Sequence, residues 1–233
     1  MVGRASHLGL YATDTWRLAP TTHVTATLRA NRSRVSNTLT TVDDDTGVLE
    51  AKPKESFTYT SLNPAVGVTQ QLGTGLAVFA NLARNTRVPT VIELGCADPA
   101  EPCRLPVGLQ SDPYLKQVRA TSLEAGLRWR PAPGQRLELA LFRTDNRDDI
   151  VFGSVSATSQ LGYFQNFQRT RHQGLDATWQ AQVGPVAVTA AYSHLQATYQ
   201  AHGLLRMGER NVTITPGTKM AGLPRHSAKL GAD

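Results

Sequence analysis

Tyr163 to Trp179 reads YFQNFQRTRHQGLDATW, and its second half decides the fold. Leu175, Ala177 and Trp179 alternate with Asp176, Thr178 and Gln180, the period-two pattern of a strand whose faces meet different surroundings. Arg169, Arg171 and His172 run directly into that pattern. A strand of a water-soluble protein turns its apolar side to a core, whereas a membrane-crossing strand turns it to lipid. The flanking sequence must choose between the two.

Working outward, the alternation returns. Leu8, Leu10, Ala12, Trp16 and Leu18 share one parity and Tyr11, Thr13, Thr15 and Arg17 the other, with Asp14 the one polar residue on the apolar side. After Ala19-Pro20-Thr21-Thr22, Val24, Ala26, Leu28 and Ala30 alternate with Thr25, Thr27, Arg29 and Asn31, which predicts a hairpin. FTYTSLNPAVGVTQQ turns at Leu72-Gly73-Thr74-Gly75 into Leu76, Val78, Ala80 and Leu82. Leu123, Ala125, Leu127 and Trp129 turn at Pro131-Ala132-Pro133-Gly134 and return as Leu137, Leu139 and Leu141; the quoted stretch turns at Val183-Gly184-Pro185 into VAVTAAY. Every second connection is tight, while those near 32–55, 86–118, 148–162 and 200–222 are long and polar.

That asymmetry selects the architecture. A soluble sandwich has no reason to keep alternate connections short, but an outer-membrane barrel has short periplasmic turns and long extracellular loops. The expected fold is all-β, an antiparallel transmembrane β-barrel segment of roughly nine to ten strands, open and partial as given. Arg29, Glu124, Arg128, Glu138 and Asp176 fall on the polar parity, which a barrel turns to its aqueous lumen. On the lipid face an arginine at the midplane costs about 2–4 kcal/mol. Trp179 is then an interface aromatic near a periplasmic turn, and Arg169 to His172 lie toward the outer end of their strand.

Composition agrees. Of 233 residues 40% are hydrophobic, mean hydropathy is −0.27, and no apolar run approaches the roughly 18 residues of a spanning helix. The net charge of +6 is spread along alternate strand positions rather than gathered in one basic patch, which argues against a nucleic-acid partner and allows attraction to anionic headgroups. The N-terminal MVGRASHLGLYATDTW carries no export signal, and the expectation is of a segment cut at both ends.

Seven stretches in order, LYATDTWRLAP, SLNPAVGVTQQL, LAVFANLARNTRVPTVIEL, DPYLKQVRATSLEAGLRW, LALFRTDNRDDIVF, YFQNFQRTRHQGLDA and AGLPRHSAKLG, resemble the TonB-dependent outer-membrane receptors, in the C-terminal part of their β-barrel. The resemblance implies a barrel of roughly 22 strands closed around a plug. It also implies import of a scarce ligand, a ferric siderophore or similar metal chelate foremost. Energy would come from the inner-membrane TonB complex through the plug region. Residues 1–233 are read as a partial barrel domain lacking the plug, the TonB box, the signal peptide and the family's terminal aromatic strand. Bacterial outer-membrane lipid and lipopolysaccharide are the remaining expected partners. Because an open strand edge in lipid costs roughly tens of kcal/mol, the segment is expected to work only within its parent. The rival readings are a passive porin-like or structural barrel and a soluble β-sandwich binding module.

No constellation points to catalysis, a cofactor or a metal. There is no nucleophile elbow, no H-E-x-x-H pair and no phosphate-binding glycine loop, and histidines 7, 23, 172, 194, 202 and 226 lack ligand spacing. Cys96 and Cys103 in ELGCADPAEPCRLP are disulfide candidates in an extracellular loop, against a metal or redox role for which the spacing is wrong. Asp43-Asp44-Asp45 reads as a solvated loop tip, and Asp145, Asp148 and Asp149 as an exposed strand end pairing Arg143 or Arg147. Arg169, Arg171 and His172 are the candidate lumen or vestibule residues for an anionic ligand, on the resemblance.

Overall fold

The computed structural model describes residues 2–38, 40–42, 48–51, 54–96, 103–104, 114–156, 161–208 and 210–233. Its elements are β1 (Val2–Ala19), β2 (Thr22–Thr38), β3 (Thr40–Val42), β4 (Leu49–Ala51), β5 (Glu55–Gly73), β6 (Leu76–Arg87), α1 (Val91–Leu94), β7 (Cys103–Arg104), β8 (Val118–Trp129), β9 (Gln135–Ser154), β10 (Leu161–Val183), β11 (Val186–Tyr199), β12 (Gly203–Met207), β13 (Arg210–Ile214) and β14 (His226–Ala232). Nine of them form one path in chain order, β1-β2-β5-β6-β8-β9-β10-β11-β14, with every neighbouring pair antiparallel. β1 and β14 are its two edges, so the sheet is an open antiparallel meander.

The short connections are where the alternation puts them. Gly75, Gly134 and Gly184 adopt φ of 85°, 74° and 62°, a left-handed backbone that a side chain would strain. The register fixes which residues share a face. Leu123, Ala125, Leu127 and Trp129 stand opposite Arg143, Leu141, Leu139 and Leu137 of β9, and the last three stand opposite Leu175, Ala177 and Trp179 of β10. Of these, Leu123, Trp129, Leu141 and Trp179 are exposed, as are Leu8, Leu10, Leu62, Leu82 and Leu230, while Leu127, Leu137, Leu139 and Leu175 are half-buried between them; together they form one outward apolar surface. On the other face, Thr13 bonds Thr27 (3.0 Å), Ser122 bonds Thr144 (2.9 Å), Arg128 pairs with Glu138 (3.2 Å) and Ser193 donates to Asp176 (2.5 Å). The polar parity is thus the inner face, as the sequence implies.

The expected loops are shorter than the sequence suggests. β2 continues to Thr38 and β3 pairs with β4 inside the span read as loop 32–55. β9 runs to Ser154 and β10 begins at Leu161, so most of 148–162 is strand; the span 200–222 carries the β12–β13 hairpin. A strand of about ten residues crosses a bilayer obliquely, and β9 and β10 have 20 and 23. Their excess length stands outside the lipid, where backbone pairing continues without the alternation that lipid imposes.

Among the described residues the two buried hydrophobic cores lie at this outer end. Val35, Tyr59, Leu94 and Leu115 form one on the inner side, with Phe57, Val91, Ile150 and Phe164 packed against it. Val151, Phe167, Ala201, Leu205 and Ile214 form another, where the β12–β13 hairpin lies on the β9–β10 tip. Asp145 lies within β9 rather than at a strand end and pairs with both Arg143 and Arg171, while Arg147 has no ion pair among the described residues. Asp148 approaches Lys116 at 3.9 Å, and Asp149 accepts from Thr170 at 2.5 Å. Asp43 to Asp45 lie outside the described residues.

Candidate functional site

Residues 88–96 and 114–117 fold back over the inner face instead of standing away from it. Thr90 caps α1: its hydroxyl accepts from Glu93 N (3.2 Å), Glu93 Oε2 accepts from Thr90 N (2.7 Å), and Arg87 holds the same carboxylate (2.8 Å). The helix packs against β1 and β2 at one edge of the sheet and against β10, far from them in the sheet order, and Val91 fills the space that a side chain at Gly3 would need. The returning segment is fixed by Tyr59 Oη donating to Leu115 O (2.8 Å). Asn166 binds both the N–H (2.8 Å) and the C=O (3.1 Å) of Lys116.

Bordering this plug of loop is a cavity of about 500 Å³ on the inner face of β1, β2, β5 and β6. His7, Arg29 and Arg84 line it with neutral hydrogen-bonding groups, and among the described residues no carboxylate does. Arg29 Nε donates to Asn31 Oδ1 (2.8 Å), and its guanidinium lies 5.9 Å from the centroid of Tyr11. Gly9 makes room for it, since a Cβ there would fall 2.8 Å from Arg29 Nη2. His7 Nδ1 and Ser33 Oγ are 2.9 Å apart, and Thr86 donates to Ser61 at 2.8 Å. A concave wall of two arginines and neutral hydrogen-bonding groups, with no counter-charge among the described residues, suits an anionic, oxygen-rich guest.

The structure divides the three residues singled out in the quoted stretch. His172 lies on the inner face, opposite Thr144 and 3.3 Å from Asn146. Arg169 and Arg171 share the parity of Leu175 and Trp179, and Arg171 binds Asp145 there at 2.6 Å. None of the three lines the cavity. Counting back in twos from Leu175 separates them in the sequence itself; proximity along the chain obscures it. The cavity's own residues come from strands some 80 residues apart, and among them Thr27, Arg29 and Asn31 were marked beforehand, by their parity. Cys96 is fully buried and not a free thiol, and the backbone of Cys103 pairs with Gly162. Among the described residues no group of three or more metal-ligating side chains gathers, and no helix is long and apolar enough to cross a membrane.

The chain matches the family model of TonB dependent receptor-like β-barrels over residues 2–233. Among solved structures it is similar to the ferric-catecholate import receptor Fiu from E. coli K12, with TM-score 0.69 and 17% identity over 99% of this chain and 32% of that one. The ferric yersiniabactin uptake receptor FyuA from Yersinia pestis gives 0.70 and 13% over 99% and 31%. The alcaligin outer-membrane receptor FauA from Bordetella pertussis gives 0.62 and 15% over 99% and 34%. These likenesses establish the fold, and the chain spans about a third of each of those proteins.

Proposed function

For a chain that belongs to the β-barrel family of the TonB-dependent receptors, an outer-membrane family, we propose that it forms part of the wall of an importer for an anionic metal chelate, a ferric siderophore foremost. The carrying observation is the inner-face cavity lined by Arg29, Arg84 and His7 and, among the described residues, by no carboxylate. A chelate held by catecholate or hydroxamate oxygens presents negative charge and hydrogen-bond acceptors, which that lining complements. Of the three similar structures named above, Fiu is a ferric-catecholate import receptor, FyuA a ferric yersiniabactin uptake receptor and FauA an alcaligin receptor, which supports the same cargo class. The other expected partners, the inner-membrane TonB complex through a plug and the lipid and lipopolysaccharide around the barrel, belong to the same reading. His172, on the inner face beside Asn146, remains a candidate for contact with the guest. No step calls for catalysis by this chain.

The loop that borders the cavity is proposed to be closed by a Cys96–Cys103 disulfide, for which a ring of this size gives about 2–3 kcal/mol in the loop-entropy account. Its formation is checked by a mass shift on reduction and alkylation of the folded protein.

The function is tested in the complete gene product, expressed in a host stripped of its own siderophore receptors and supplied with a radio-iron tris-catecholate. Uptake is expected to require a working TonB, and Arg29→Gln is expected to raise the half-saturation concentration about tenfold, the loss of one charge-assisted contact. Uptake indifferent to TonB would instead favour the passive-pore reading.

A further inference from the structure

On the outward face, arginines meet across three neighbouring strands. Arg119 of β8 stands directly opposite Arg147 of β9, and Arg147 directly opposite Arg169 of β10. Like charges directly opposed across a ladder destabilise it. None of these three guanidiniums has a hydrogen-bond or ion-pair partner among the described residues. One outward row nearer the short turns, Thr121, Asp145 and Arg171 align. The Asp145 carboxylate accepts there from Nε of Arg171 (2.6 Å) and Nε of Arg143 (2.8 Å). Five guanidiniums therefore surround one carboxylate, a formal excess of four positive charges on one patch.

The patch has a fixed height. It continues the parity of Leu123, Leu141 and Leu175, of which Leu123 and Leu141 are exposed on the apolar outer surface. Arg143 is one outward position beyond Leu141, Arg119 two beyond Leu123, and Arg147 three beyond Leu141. At about 3.4 Å per residue and a strand tilt near 40°, the guanidiniums lie roughly 5–15 Å above the last leucines, at headgroup depth and just beyond. A soluble anion would meet the charges but leave the leucines unused. A nucleic acid would run into the apolar surface. A phosphorylated amphiphile meets both, with acyl chains along the leucines and phosphates in the planar forks of the arginines, which match phosphate bidentately.

We propose that this face is a binding site for an anionic phosphoglycolipid of the outer leaflet, held through its phosphates by Arg119, Arg147 and Arg169 with Arg143 and Arg171 braced by Asp145. The site rests on the outer-membrane reading above. It also explains an arginine row that the sheet would otherwise tolerate at a loss: the anion supplies the missing counter-charge.

The test compares the complete barrel with an Arg119→Gln/Arg147→Gln/Arg169→Gln variant, both purified in detergent and titrated with bisphosphorylated lipid A, with the same lipid stripped of phosphate, and with inorganic phosphate. The wild type is expected to hold lipid A about a hundredfold more tightly than the phosphate-free lipid, and the variant to lose that ratio while binding the phosphate-free lipid as before. Heat-modifiable migration on gels shows that each protein is a folded barrel. A heat-modifiable wild type without preference for the phosphorylated lipid, a variant that keeps it, or inorganic phosphate displacing lipid A at equal concentration would overturn the site alone. A wild type that is neither heat-modifiable nor able to bind either lipid overturns the membrane reading and the site together.

Discussion

Near the short turns, the β9–β10 hairpin leaves Leu141 56% and Trp179 37% exposed; farther along the same two strands, Val151 and Phe167 are 9% and 5% exposed. One continuous ladder joins the two regions without a shift of register, so backbone pairing does not distinguish them. Their surroundings do. In the lower region lipid covers the apolar face, and burying it again inside protein would gain nothing. In the upper region water surrounds the strands, and the chain has to build compact cores from α1, the returning loop and the β12–β13 hairpin. The same hydrophobic residues thus signal a surface below and an interior above.

The sharpest way to break this contrast is to create a cavity where a core is claimed. Phe167→Ala removes the ring that contacts Tyr199 at a centroid distance of 4.7 Å, and is expected to cost about 3–5 kcal/mol locally. Hydrogen exchange should then accelerate at the β9–β10 tip and in β12–β13 while the amides near the short turns stay protected. Uniform acceleration through the hairpin would show that the two regions are one cooperative unit.

A smaller effect tests the lower region by charge. Leu139 faces outward between Leu127 and Ala177, whereas Thr178 faces inward opposite Glu138. Leu139→Arg should cost about 2–4 kcal/mol in urea unfolding of the complete barrel in lipid, and Thr178→Arg less than about 1 kcal/mol. Equal costs would contradict the assignment of faces. The smallest expected change is in the upper loop: Thr90→Ala removes one half of the α1 capping box and should destabilise that turn by about 1 kcal/mol. Protease cutting between residues 88 and 117 should quicken, with the strand circular dichroism unchanged.

Legibility followed the same divide. The strands around Leu8 to Leu18, Leu123 to Trp129 and Leu175 to Trp179 could be read because lipid on one side and water on the other force strict alternation. Above the lipid that demand lapses, and the reading of 32–55 and 148–162 as loop fails where β2, β9 and β10 continue. Arg169, Arg171 and His172 were grouped by nearness in sequence, although their parity already sends His172 inward and the two arginines outward. The cavity was beyond sequence reading, since Arg29, Tyr59 and Arg84 are brought together only by pairing along β2, β5 and β6.

The sequence by itself determined the period of two, the alternation of short and long connections, the faces of the membrane-level strands and, through the resemblance of seven stretches, the family. Each is local, because a strand's faces and a turn's glycine are settled within a few residues. Only the tertiary structure decided how far the strands rise, how 88–96 and 114–117 fold across the inner face, where Arg29 and Arg84 gather without a carboxylate among the described residues, and that Arg119, Arg147 and Arg169 stand in one row. These depend on register between strands distant in sequence, and a register shift of a single residue would turn every one of those side chains to the opposite face.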